Sequence, residues 1–205
     1  EVPWLLAQLS TVFVFLVIIN AFNFIDGVDG LAITEVIKTI ILIEFFSNNR
    51  TPLTPFFILL VLSLLPLYYF NFKKKTKVFL GDGGSLLLGT MVSIYIFYVL
   101  GNEYPFKEGF LMNKTLFVIM IVLYPLVDLL RVFIIRIKEG KSPFIADQNH
   151  LHHLLLKRGF SHPKISLSLI LGYIFLFSLL ILIYWIYLNL YKFFRKVILL
   201  DYTLF

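Results

Sequence analysis

Residues 20–32, NAFNFIDGVDGLA, place Asp26 and Asp29 three positions apart, each followed by glycine, just after a long apolar run. A third carboxylate, Asp82, sits between glycines in KKKTKVFLGDGGSLLLG, residues 73–89. His150, His152 and His153 are packed into four positions of RIKEGKSPFIADQNHLHHLLLKRGFSHPK, residues 136–164, beside Arg136 and Lys141. Carboxylate oxygens favour hard cations, and Mg²⁺ typically takes one or two of them plus substrate phosphate. Imidazoles and basic side chains match the remaining anionic oxygens. The mixture suits phosphoryl transfer, where catalysis is mostly positioning and charge neutralisation.

Each group also has a plainer reading. Asp26 and Asp29 could mark a helix stop followed by a cap, although Gly27 and Gly30 suit a backbone bent around a ligand. Asn20 and Asn23 add amides at membrane depth, where polar side chains are costly. Asp82 could cap the next helix, but Gly81, Gly83 and Gly84 let large groups approach, and a helix N-terminus attracts phosphate. Lys73, Lys74, Lys75 and Lys77 fit attraction either to anionic lipid head groups or to an anionic substrate. If the histidine segment is helical throughout, His150 and His153 share a face and His152 points about 100° away from its neighbour. Asp147 could join them, but such a set without cysteine is a weak zinc signal. Asp128 with Arg131, and Glu35 with Lys38, read as pairs that neutralise themselves inside a bundle.

The elements that must hold these residues are membrane helices. The 205 residues are 60% hydrophobic and 15% charged, with 23 Phe, which predicts an all-α polytopic transmembrane bundle rather than a soluble domain. Six stretches approach the ~20 residues a crossing needs: Val2–Asn20, Leu31–Phe46, Leu53–Phe72, Gly84–Leu100, Leu116–Ile137 and Ile165–Tyr191. The chain reads as one transmembrane domain over residues 1–205, with no cysteine chemistry and no convincing signal peptide. Alternate polar segments then share one face, which collects the acids and histidines. Arg131, Arg136, Arg158 and Lys residues 73, 74, 75, 77, 138, 141, 157 and 164 lie on it, against Arg50, Arg195, Lys107, Lys114, Lys192 and Lys196 opposite. The positive-inside rule makes the acid-bearing face cytoplasmic, in the cell membrane. The positive charge is assigned to membrane lipids and an anionic substrate, with no nucleic-acid partner expected.

NAFNFIDGVDGLA, FLGDGGSLLLG and SPFIADQNHLHHLLLKRGFSH resemble, in order, the signature segments of the polyprenyl-phosphate N-acetylhexosamine-1-phosphate transferases, the glycosyltransferase family 4 enzymes. The HLHH form is closer to the branch acting on UDP-N-acetylglucosamine or a related UDP-sugar than to the phospho-N-acetylmuramoyl-pentapeptide transferases. The resemblance runs from about Asn20 to His162. It implies transfer of an N-acetylhexosamine-1-phosphate from a UDP-N-acetylhexosamine to undecaprenyl phosphate, with release of UMP and a need for Mg²⁺ or Mn²⁺. It implies Asp82 as a metal ligand and Asp26, Asp29, His152 and His153 as the catalytic set. Asn23, His150, Lys141 and Arg136 are the expected substrate contacts. The family also carries an adjacent Asp-Asp pair upstream, which these 205 residues lack. The expectation is that an N-terminal portion of about four helices is missing from a bundle of roughly ten or eleven, leaving this chain inactive by itself. An inactive membrane fragment or pseudoenzyme and a transporter are the alternatives. A transporter predicts charges spread through membrane depth and internal repeats, neither of which the sequence displays.

Overall fold

The computed structural model describes residues 3–101, 103–143 and 149–201, except the side chains of 194 and 196–201. Eight helices form among them: α1 (Trp4–Phe24), α2 (Leu31–Phe46), α3 (Thr54–Asn71), α4 (Gly81–Leu100), α5 (Lys114–Ile121), α6 (Leu123–Lys138), α7 (Leu151–Lys157) and α8 (His162–Asp201). There is no strand among the described residues beyond an isolated bridge between Ser47 and Phe106. The all-helical polytopic expectation holds, and the helices α1, α3, α4 and α8 are long and apolar enough to cross a membrane.

The other two expected crossings differ in kind. The stretch from Leu116 to Ile137 is not one rod, because α5 and α6 meet at a bend of 72°. Pro125 explains the break: it has no N–H for the carbonyl of Ile121, and its ring crowds that carbonyl. The pair makes at most one broken span. Helix α2 has 16 residues and so reaches only about 24 Å, short of a bilayer core of about 30 Å. It is a core helix, with Leu31, Ile33, Val36, Ile40 and Ile43 buried together with Glu35, Lys38 and Thr39. Glu35 and Lys38 form an ion pair one turn apart, as their spacing suggested.

Chain contacts divide the protein into two units, residues 1–169 and 170–205. The first holds the folded core. There α1 packs chiefly on α4 and also on α6, while α2 lies against α3 and α4. The backbones of α1 and α4 come close at Gly89, where an added Cβ would stand 2.9 Å from the Cα of Ile19. Small residues at such crossings let helices in lipid gain the dispersion contact that holds them together. The second unit is the distal part of α8, with stacked Tyr173 and Phe177 and a ladder of Tyr184, Tyr187 and Tyr191 along one side.

Candidate active site

Helix α1 runs through Asn23 to Phe24, four residues past its expected end. Its two asparagines explain how. Asn20 donates 2.7 Å to the carbonyl of Leu16 in its own helix and takes no part in the site. Asn23 donates 2.8 Å to Ser85 Oγ on α4. Ser85 in turn lies within hydrogen-bond distance of the Gly81 and Asp82 carbonyls, so one amide fixes the end of α1 against the start of α4. Asp26 follows in the turn after α1, while Asp82 stands exposed in the first turn of α4. Neither Asp29 nor Asp26 caps α2; Gly30 does, at φ 73°, a left-handed conformation in which only glycine is comfortable.

The α1–α2 loop, the α3–α4 loop and the first residues of α4 and α8 enclose a cleft of about 250 Å³. Asp26, Gly27, Asp29, Lys77, Gly81, Asp82 and His162 line it, with Asn71 at its base. Asn71 accepts from the Gly30 N–H at 2.5 Å and donates to the Val78 carbonyl at 2.8 Å, tying the first acidic loop to the lysine loop. Sequence reasoning overlooked it, although an amide closing an apolar helix is the same kind of signal that drew attention to Asn23. The Asp29 carboxylate pairs with Lys77 at 2.7 Å. The Asp29 N–H donates 3.1 Å to His162 Nδ1, which lies 3.2 Å from Oδ2 of the same residue. Only Lys77 of the lysine cluster turns into the cleft; Lys73 lies over the rings of Tyr69 and Phe70.

Asp26 is the acid under most stress. Burial pushes its carboxyl up to about 7, and the negative charges of Asp82 and Asp29 add to the effect. No described residue donates a hydrogen bond to it. Among the described residues no three carboxylate or imidazole groups stand close enough to enclose a metal unaided. Mg²⁺ does not need such a group, since it takes few carboxylates and completes its shell with phosphate and water. Asp82 is exposed at the cleft, and its charge adds to the upward push on Asp26.

Behind Gly27 lie the histidines. His150 immediately precedes α7, with an extended ψ of 147°, so the helical spacing expected for it does not apply. Instead the rings stand in sequence: His150 stacks on His152 at 5.6 Å, and His152 meets His153 at 4.3 Å. His152 is fully buried and neither ring nitrogen has a hydrogen-bond partner. Burial, reinforced by His153, pulls its pKa down to about 3, so it is neutral at physiological pH. A Cβ on Gly27 would collide with His152 Nε2, which explains why glycine stands between Asp26 and Val28.

The other expected contacts stand apart. Arg136 is buried and donates 2.5 Å to the Pro143 carbonyl, and Lys141 pairs with Glu139 at 2.7 Å in an exposed position. Neither lines the cleft. Asp147 lies outside the described residues. Asp128 was expected only to neutralise Arg131; it does so at 2.9 Å, but also accepts from the Leu151 N–H and contacts His150 Nδ1.

The profile of glycosyl transferase family 4 matches residues 1–100, which include both acidic motifs. The chain belongs to that family. It is 34% identical over 169 residues to the decaprenyl-phosphate N-acetylglucosaminephosphotransferase of Mycobacterium leprae, an alignment covering 75% of this chain and 42% of the relative. It is 31% identical over 157 residues to the undecaprenyl-phosphate alpha-N-acetylglucosaminyl 1-phosphate transferase of Escherichia coli K12, covering 74% of this chain and 41% of that protein. The chain thus spans well under half the length of these relatives. No solved structure matches it.

Proposed function

We propose that this chain carries the sugar-nucleotide side of a membrane transferase that moves N-acetylglucosamine-1-phosphate from a UDP-sugar to a polyprenyl phosphate at the cytoplasmic face, releasing UMP. The observation that supports it best is the convergence of Asp26, Asp29 and Asp82 on one cleft with Lys77 and His162, from loops far apart in the chain. The names of the mycobacterial and enterobacterial relatives support the same substrate class.

The roles follow from charge and position. Lys77 and His162 present positive or donor groups to phosphate oxygens, and Asp29 holds both in place. The free N–H groups at the start of α4, beside Gly83 with open space around it, offer a second anchor for phosphate. Asp82 would hold Mg²⁺, which when bound neutralises diphosphate charge and polarises the phosphorus centre. Asp26, close to half-protonated near neutrality, can accept or release a proton at the cleft wall. The neutral, desolvated His152 and its neighbours form the wall behind Gly27.

The test uses membranes carrying the full protein, undecaprenyl phosphate, Mg²⁺ and UDP-N-acetylglucosamine labelled in the sugar. Label should enter the lipid fraction with matching UMP release, and EDTA or Asp82→Asn should abolish it. Absence of labelled lipid across a panel of UDP-N-acetyl sugars would reject the reading.

A further inference from the structure

One buried carboxylate is not used by the cleft. Asp128 lies on α6 with almost no exposure, and three donors converge on it. Arg131 reaches Oδ1 at 2.9 Å through Nη2, and the Leu151 N–H donates to the same oxygen at 2.9 Å. Oδ2 faces His150 Nδ1 at 3.0 Å. Arg131 also donates to the carbonyl of Asn149. Asp128 and Arg131 therefore grip three consecutive residues, 149 to 151, where the chain enters α7.

An ionised carboxylate can only accept hydrogen bonds, so the contact to His150 requires the imidazole hydrogen on Nδ1. That assignment leaves Nε2 as the edge of the ring turned away from Asp128. It also fixes the plane of His150, which stacks on His152 at an interplanar angle of 13° and sits against Phe24 of α1. We propose that Asp128 is a positioning residue for the transferase: through its bond to Nδ1 it sets the tautomer and orientation of His150, and through the Leu151 N–H it seats the histidine helix behind the cleft. The proposal rests on the transferase reading for its effect on turnover, but not for its effect on His150. A second carboxylate oriented toward an imidazole is a recurrent device for holding one tautomer in metal and acyl-transfer sites, and its removal typically costs about 10–100-fold.

Asp128→Asn is nearly isosteric and tests this directly. Its amide can still accept from Arg131 and Leu151, but its NH₂ then faces His150 Nδ1 and forces the hydrogen to Nε2. The protein has four histidines, so ¹⁵N-histidine NMR of the whole chain in lipid nanodiscs, with His150→Gln for assignment, can resolve the tautomer. The expected wild-type spectrum has His150 protonated on Nδ1, changing to Nε2 in Asp128→Asn. Turnover per folded molecule should fall about tenfold or more, with KM for the UDP-sugar changing less than kcat. Asp128→Glu, which keeps the acceptor, should restore the wild-type tautomer and part of the turnover. A wild-type His150 carrying its hydrogen on Nε2 would overturn the proposal even if Asp128→Asn failed to fold. So would an unchanged tautomer in a folded Asp128→Asn protein, or wild-type turnover in one whose tautomer has changed. An inactive wild type would instead count against the transferase reading, and the wild-type spectrum would still decide the role of Asp128.

Discussion

Two carboxylates near opposite ends of α2 live in contrasting surroundings. Glu44, toward the far end, accepts from the hydroxyls of Tyr95, Thr51 and Thr54, the last at 2.9 and 3.0 Å. Nearby rings of Phe46, Phe106, Phe110 and Phe117 pack edge to face, and Tyr104 donates 2.6 Å to the Ile43 carbonyl. At the other end Asp26 is half-buried and meets two further acids, with glycines rather than aromatics beside it. One end spends its polar groups on each other and the other keeps them uncommitted. Unrelieved charge in a fold of marginal stability is the mark of a site whose partner arrives from outside.

Substituting the two acids gives the largest contrast. Asp26→Asn removes a repelling charge, so thermal stability should hold or rise while sugar-phosphate transfer drops at least about a hundredfold. Glu44→Ala should do the reverse. It strands hydroxyls that are themselves buried and costs about 2–3 kcal/mol in a detergent melt, with turnover per folded molecule unchanged. Equal loss of stability in both would erase the contrast between the two ends of α2.

Gly27→Ala sharpens the comparison at the site end. The new methyl would displace His152, lowering turnover about tenfold and stability by about 1–3 kcal/mol, read by activity and melting on one sample. The same mutation type at Gly83, where nothing stands within 4 Å, should leave stability nearly unchanged.

A smaller effect comes from pH. The pKa of His152 falls from 6.5 to about 3, so between those values the unfolded chain binds a proton that the folded chain refuses. Stability should be insensitive to this residue above about pH 6.5 and decline as pH falls toward 3, at up to about 1.4 kcal/mol per unit. Melts of wild type and His152→Asn at pH 8, 6 and 5 measure it; parallel curves would show that the imidazole is not buried neutral.

Smallest of all is Thr39→Val. The Thr39 hydroxyl is buried without a partner, so replacing it with a methyl of similar shape should leave the melting temperature unchanged or slightly higher.

How legible all this was depends on what each residue does with its neighbours. The bounds of α2 could be read directly, because Gly30 and the polar run from Ser47 punctuate an apolar stretch at both ends. The break at Val122 could not be read from apolarity, since the residues on both sides are equally apolar; Pro125 was the available signal. Asp26, Asp29 and Asp82 announced themselves through glycines and membrane depth, and they do share a cleft. Asp128 did not, because its nearby Arg131 offered a complete local explanation and the bond to His150 spans 22 positions. Arg136 and Lys141 carry only charge as a signal, and charge does not set direction: one turns to the Pro143 carbonyl and the other to Glu139.

The contact at Gly89 carries a consequence for how the molecule moves. With the backbone of α1 resting on that of α4 at that point, the two rods behave as one beam, and Asn23 pins them together again near the tip. Prising these rods apart would break both contacts. The lysine loop is tied to the first acidic loop through side chains, by the amide of Asn71 and the Lys77–Asp29 ion pair, so parting those two loops breaks side-chain bonds and leaves the beam whole.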